Sequence, residues 1–416
     1  MQKISLFLSL LLLFTFRVDA QDTAPVYTII IKGGHVIDAK NNINELMDVG
    51  IRDGKIARVA KNIDPAHGTQ IINAQGMYVT PGLIDLHTHV FWGTEPNHYL
   101  SNGDIAVTPD GFSFRSGVTT VVDAGGAGWK SFPLFKTNVI DRSQTRVLSF
   151  LNIVGEGMRG GDWEQDISDM DATMAAKTAI ANKEYIVGFK LAHFAKPDWT
   201  PVEKIVKAGK LANMPVMIDF GGGNLPIEDL FFKYLRPGDI YTHVFTELPG
   251  RDPVVDLKTR QLRPFVIPAQ KRGILFDVGF GGASFNFNQA IPSIKAGLLP
   301  NTMGTDLHTG SMNAAMKNQL NVLSIFLAMG MDIQEVIARS TWEPAKAIKR
   351  EELGNLSEGA IADVAILSLR KGKFGFKDIA NNRQEGTQKL ECELTIKDGK
   401  IVYDLNAIAG PGKKGN

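Results

Sequence analysis

The residues best suited to chemistry start in the segment Pro81-Gly82-Leu83-Ile84-Asp85-Leu86-His87-Thr88-His89, where an apolar run leads into two histidines one residue apart. On a strand, side chains at i and i+2 share a face, so both imidazoles can reach one point in space. Imidazole is a good ligand for zinc and similar borderline cations. Two histidines satisfied by hydrogen bonds in a core would give the same dipeptide, so the pair alone decides nothing. Three further apolar runs also end on ligand-type residues: Lys190 after residues 186–189, His243 after 240–242, and Asp306 after Met303-Gly304-Thr305. Four such endings are much harder to obtain by chance. Lys190 is the odd member, because an unpaired ammonium in a core is costly. Carbamylation by carbon dioxide would turn it into a carboxylate able to bridge two metals; a snorkelling or ion-paired lysine is the alternative.

Elements able to hold these residues can be read from the patterning. Apolar runs at 83–86, 119–123, 146–153, 186–191, 216–220, 240–245, 274–278 and 299–304 are strand candidates. Between them, 168–182, 202–213, 227–234 and 314–329 read as helices. Eight strands alternating with helical or loop segments over residues 81–354 predict a (β/α)8 barrel, whose chemistry sits at the C-terminal ends of its strands. A doubly wound open sheet is the weaker rival, because no glycine-rich phosphate loop follows the first strand. The two ends have a different texture. Residues 26–60 and 362–403 carry short β-branched runs, with Asp53-Gly54 and Asp398-Gly399 as hairpin turns. This predicts one small β-sandwich domain assembled from residues 21–80 and 355–416.

The chain of 416 residues is 44% hydrophobic and 21% charged, enough to bury a large core. A formal net charge of +1 gives no reason to expect nucleic acid or an anionic membrane surface as partner. The single cysteine, Cys392, excludes a disulfide-stapled scaffold. Lys3, the apolar run 4–16 and Val18-Asp19-Ala20 have the form of an export signal cleaved after residue 20. The apolar run is shorter than a spanning helix needs, so no stable anchor is expected after cleavage. A bacterial periplasm is the expected destination.

Together these segments resemble the amidohydrolase superfamily, in its branch of bacterial deacetylases related to D-aminoacylase and dihydroorotase-like enzymes. The resemblance covers nearly all of the chain after residue 20. It is carried by Ile31-Lys32-Gly33-Gly34-His35-Val36-Ile37-Asp38 and Asp53-Gly54-Lys55-Ile56, by residues 79–89 and 117–123, and by Thr305-Asp306 with Gly359-Ala360-Ile361-Ala362-Asp363. A Pro-Gly segment running into Asp-X-His-X-His, joined to a C-terminal Gly-X-X-Ala-Asp strand, is specific to that superfamily. The resemblance implies the barrel, the composite β-sandwich and one or two divalent metals, usually zinc. It implies that His87 and His89 hold the buried metal, that carbamylated Lys190 bridges, and that His243 holds the more exposed metal. Asp306 would bind the buried metal and carry the catalytic proton. The implied activity on a small-molecule substrate is amide or ester hydrolysis, foremost deacetylation of an N-acyl amino acid or similar carboxylate. Cyclic amide or dipeptide hydrolysis is the alternative, and a metal-free scaffold relative the non-enzyme one. Barrels of this kind often associate, so a homo-oligomer is a candidate state.

Two positions depart from the resemblance. The fifth barrel strand of the binuclear enzymes usually ends in a histidine ligand, whereas Met217-Ile218-Asp219-Phe220 presents Asp219, as ligand or as a partner of one. Phe280 stands where related deacetylases often carry histidine. Arg159, in the glycine-rich stretch 155–161, and His308 are candidates to contact substrate; a surface arginine is the bland alternative for Arg159. His193 reads as an exposed polar residue, with a loop histidine lining the mouth as the alternative. Trp92, Trp129, Trp163 and Trp199 fall in stretches after barrel strands, where they either wall a pocket or pack the loops down.

Overall fold

The computed structural model describes residues 27–219 and 223–411. The expected export signal, residues 1–20, lies outside the described residues. Among the described residues no helix is long and apolar enough to cross a membrane.

Strands from both ends of the chain join in one eight-stranded sheet. It contains β1 (Tyr27–Asp38), β2 (Ile43–Arg52), β3 (Lys55–Ala60), β4 (Gly68–Asn73) and β5 (Tyr78–Pro81). Seven further strands, β6 to β12, intervene before β13 (Val364–Lys377), β14 (Arg383–Lys397) and β15 (Lys400–Asp404) complete it. The order is β15-β14-β13-β5-β1-β2-β3, with β4 also on β1. Both Asp-Gly pairs close hairpins, with Arg52 opposite Lys55 and Lys397 opposite Lys400. Positive φ at Asp53 (52°), Gly54 (72°), Asp398 (50°) and Gly399 (75°) matches the turn that two-residue hairpins require. The inner faces share one core, including Ile31, Val49, Ile51, Val364, Ile366, Leu394 and Ile396.

The intervening strands are β6 (Leu83–Thr88), β7 (Val118–Gly128), β8 (Arg146–Asn152), β9 (Ile186–Ala192), β10 (Val216–Asp219), β11 (Ile240–Tyr241) and β12 (Leu275–Phe276). They form a seven-stranded parallel sheet in sequence order. The residues 299–304 predicted as an eighth strand form none. Instead, residues 302–307 bridge the two edges through the pairs Asp277–Thr302 and Thr88–Leu307. The N–H of Phe280 donates to Gly304 (3.1 Å) and that of Asp306 to His87 (2.7 Å).

The strand predicted at 240–245 is shorter than expected, and 299–304 stays out of the ladder, where polar residues leave extended geometry. His243 (φ 56°) and Asp306 (φ 55°) take the left-handed conformation, which stops a ladder. Lys190 differs from expectation in the other direction: it lies inside β9, because apolar Leu191 and Ala192 continue pairing with Ile218 and Asp219. Helix starts follow capping. The helix predicted from 168 begins after Asp171, whose carboxylate accepts from Thr173 and Met174 N–H (Ala172–Ala181). The one predicted from 314 begins after Asn318, which accepts from Asn321 (Gln319–Ala328).

Apolar residues of the parallel sheet separate into two cores. Ile84, Val122, Leu148, Val187, Met217 and Ile240 pack with one another, whereas Val121, Val147, Leu151 and Ile218 join the core that includes the helices. The sheet therefore curls, and its strand ends converge.

Candidate metal centre

That convergence gathers the chemistry-bearing residues. His87 is fully buried at the end of β6, with His89 just beyond it, and their ring centroids lie 5.5 Å apart. His87 Nδ1–H donates to the Thr242 hydroxyl (2.9 Å), which donates to Oδ2 of Asp277 (2.7 Å). The other Asp277 oxygen accepts from the Thr302 hydroxyl (2.7 Å) and the Gly304 N–H (2.9 Å). This relay assigns the His87 proton to Nδ1 and leaves the Nε2 lone pair facing inward. There it meets Lys190 Nζ at 3.1 Å and Asp306 Oδ1 at 3.5 Å. His89 presents Nε2 to the same Asp306 oxygen at 2.8 Å.

The opposite wall is built on Asp219, the last residue of β10 and 2% exposed. Its Oδ2 faces His243 Nε2 (3.2 Å), His193 Nε2 (3.7 Å) and Lys190 Nζ (3.8 Å). Its Oδ1 accepts from the guanidinium of Arg251. His243 is oriented by donating its Nδ1–H to the Gly279 carbonyl. Gly279 itself (φ 46°) is obligatory. A Cβ there would sit 2.3 Å from Thr242 Oγ1 and 2.9 Å from Nδ1 of both His87 and His243.

Burial and neighbouring charges set the protonation states of these groups. Burial, helped by Lys190, pushes the His87 pKa down, and burial takes His89 to about 3, so both imidazoles are neutral at pH 7. Burial alone would raise Asp306, but in acid, where the imidazoles take up protons, His87 and His89 outweigh it and hold the carboxyl well below the usual range. Asp219 behaves alike, with Arg251 the largest stabilising partner, then His243 and Lys190. Burial lowers Lys190. Neutral imidazoles and ionised carboxylates are the protonation states that ligate divalent metals.

The donor atoms of His87, His243 and Asp306 lie within 4.8 Å of one another. That spacing and that donor set fit a divalent cation. His89 Nδ1 is buried with no hydrogen-bond partner among the described residues, and its Nε2 faces Asp306 Oδ1.

A cleft of about 1010 Å³ lined by Tyr99, Arg159, Trp163, Gln165 and His193 reaches this wall through His193. Arg159 is in the cleft but not at the centre: its guanidinium lies 3.9 Å from the Trp163 ring centroid and 3.4 Å from Glu156. His193 is two-fifths exposed yet tied on both sides, its Nδ1 2.8 Å from buried Glu164. Burial lowers its pKa, but Glu164 outweighs that and raises it. His193 is exposed, as expected, and it also lines the cleft, because its left-handed backbone (φ 55°) turns the ring back toward Asp219. His308 caps the turn Thr309–Met312, its Nδ1 accepting from Gly310 N–H, and its ring centroid is 6.2 Å from that of His89. Phe280 is buried and stacks on Phe285, with centroids 4.2 Å apart. Trp163 lines the cleft, while Trp199 stacks on Tyr234.

Sequence reasoning passed over Asp277, Thr242, Arg251 and Glu164. An acid inside the apolar run 274–278 was a usable signal for Asp277. Nothing local marked Arg251, in a loop 32 residues beyond its partner.

Comparison with known proteins follows the same line. A profile of the amidohydrolase family matches residues 285–402. A deacetylase of Brucella anthropi is 33% identical over 325 residues, covering 76% of this chain and 78% of that protein. A deacetylase of Agrobacterium fabrum is 33% identical over 324 residues, 76% of this chain and 77% of its own length. Among solved structures, an adenine deaminase superposes with a TM-score of 0.82 at 25% identity, covering 91% of this chain and all of its own. A dihydroorotase gives 0.79 at 27% identity, covering 90% and 99%. At these identities and lengths the chain belongs to the amidohydrolase family, as a metal-dependent hydrolase of carbon–nitrogen bonds.

Proposed function

We propose that this chain removes the acyl group from a small N-acylated amino acid or similar carboxylate. The observation that carries the proposal is the convergence of His87, His89, Lys190, Asp219, His243 and Asp306 beside a cleft that holds an arginine. The deacetylases at 33% identity support the acyl substrate. Arg159, on the Trp163 ring, is a fixed cation suited to a carboxylate. His308, beside His89, is a second candidate contact.

His87, His243 and Asp306, with His89 against the same Asp306 oxygen, would hold the divalent ion, zinc being the natural match to imidazole and carboxylate donors. Such an ion supplies Lewis acidity, lowering the pKa of water from 15.7 towards about 7 and polarising a carbonyl. Asp306, kept ionised, takes the proton from the attacking water and hands it to the leaving nitrogen. The Thr242–Asp277 relay keeps His87 in the tautomer that donates Nε2. Lys190, its ammonium disfavoured by burial, holds a larger share of the neutral amine that reacts with carbon dioxide, which supports carbamylation.

We read the fold as a (β/α)8 barrel (residues 81–354) closed by 302–307, with 21–80 and 355–416 as a composite β-sandwich. The form of residues 1–20 supports export to a periplasm. Cyclic amide hydrolysis is the second reading, favoured by the likeness to the dihydroorotase. The test is a turnover screen of metal-supplemented enzyme against N-acetyl amino acids, cyclic ureides and dipeptides. Turnover of N-acetyl amino acids is expected; turnover of cyclic ureides alone would overturn the first reading.

A further inference from the structure

The outer wall of the centre already contains a permanent cation. Arg251 is nine-tenths buried, and its Nη2 donates to Asp219 Oδ1. A guanidinium stays protonated at any working pH. The remaining Asp219 oxygen is surrounded by three nitrogens, those of His243, His193 and Lys190, at 3.2–3.8 Å. Arg251 already occupies one oxygen of this carboxylate, and a second dication on the other would sit beside its like charge in a site shielded from water. His243 meanwhile lies close enough to His87 and Asp306 for all three to serve one ion. The Nη1 of Arg251 is buried without a hydrogen-bond partner among the described residues. A native protein rarely strands such a donor unless something else satisfies it.

We propose that the Arg251 guanidinium, seated on Asp219, is the outer cation of this centre, so that the chain binds one divalent ion and offers Nη1 to an anionic oxygen of the substrate. The proposal rests on the metal-hydrolase reading above and refines its metal count. Arg251 is on this view a positioning residue for Asp219 as well as a substrate donor. The arrangement differs in kind from two ions joined by a carboxylate, because the guanidinium cannot dissociate when the protein meets a chelator.

The test is elemental analysis of the protein after loading with excess zinc and bicarbonate, then desalting. Wild type is expected to hold about one equivalent, and Arg251→Ser, which frees Asp219, to approach two. Arg251→Lys, which keeps the charge, is expected to stay near one. Two equivalents in wild type would overturn the proposal while leaving the hydrolase reading intact, whereas none would remove that reading as well. If Arg251→Ser folds and stays at one, Arg251 is not what excludes the second ion. Should that variant fail to fold, cobalt titration of wild type decides: saturation at one equivalent with an uncoupled high-spin signal supports the proposal, and a spin-coupled pair refutes it.

Discussion

Asp277→Asn is the most discriminating perturbation of the centre, because it changes one atom and tests the direction of a hydrogen-bond chain. In the native protein Asp277 accepts on both oxygens, from Thr242 on one side and from Thr302 and Gly304 on the other. An asparagine must turn its NH2 to one of these sides. The Gly304 N–H cannot rotate, and leaving it opposite another donor would cost about 1–3 kcal/mol. The Thr242 hydroxyl can rotate freely. The amide oxygen therefore keeps Gly304, and the NH2 faces Thr242. The Thr242 hydroxyl then accepts from the amide and points its own hydrogen at His87 Nδ1. This moves the imidazole proton to Nε2, the atom needed as a metal ligand. Loss of such a supporting carboxylate typically costs 10–100-fold in metal affinity, about 1.4–2.7 kcal/mol. The apo protein, its hydrogen bonds all remade, should lose less than about 1 kcal/mol. Competition with a chromophoric chelator measures the first quantity and urea unfolding of the apo protein the second. Nitrogen-15 shifts of His87 report the tautomer directly. A zinc Kd within twofold of wild type, with the proton on Nε2, would refute the link between tautomer and ligation.

Three further expectations test separate parts of the molecule. Asp306→Asn removes the group assigned to proton transfer and should lower kcat by about 10²–10⁴-fold in a turnover assay of the metal-supplemented protein. Gly279→Ala forces a methyl group against Thr242, His87 and His243; overpacking of that order costs about 1–3 kcal/mol, read as a lower Tm with reduced zinc content. Burial raises Asp123 to about 6 although its carboxylate accepts from Val90, Phe91 and Gly126. Between pH 4 and 6 the folded state keeps this proton and the unfolded chain has released it. Raising the pH through that window therefore weakens the fold, by up to about 3 kcal/mol. Urea midpoints from pH 4 to 7 should fall more steeply for wild type than for Asp123→Asn, and parallel curves would rule the effect out.

Much of this architecture is legible in the sequence, for identifiable reasons. The two Asp-Gly turns mark their hairpins because few other dipeptides accept positive φ at both positions. His87, His89, Lys190, His243 and Asp306 could be singled out because each follows or interrupts an apolar run, where a polar side chain needs a reason to be buried. Strand lengths were less legible. Ile240–Tyr241 is cut short ahead of left-handed His243, a conformation that no β-propensity reports. Pairings across the centre were illegible altogether: Arg251 with Asp219, Glu164 with His193, Asp277 with Thr242. Each joins residues on different loops and strands, and only the tertiary curl brings them to hydrogen-bond distance.

Residues 302–307 also impose an order on assembly. They join β12 to β6 across the whole length of the parallel sheet, and Thr305 donates to Asp85, 220 positions earlier in the chain. Contacts so distant in sequence form late, after the intervening loops have paid their closure entropy. Asp306 thus reaches His87 and His89 only when the last segment docks. The grouping of His87, His89 and Asp306 thus depends on contacts that span 220 positions of the chain, and it is complete only in the closed sheet.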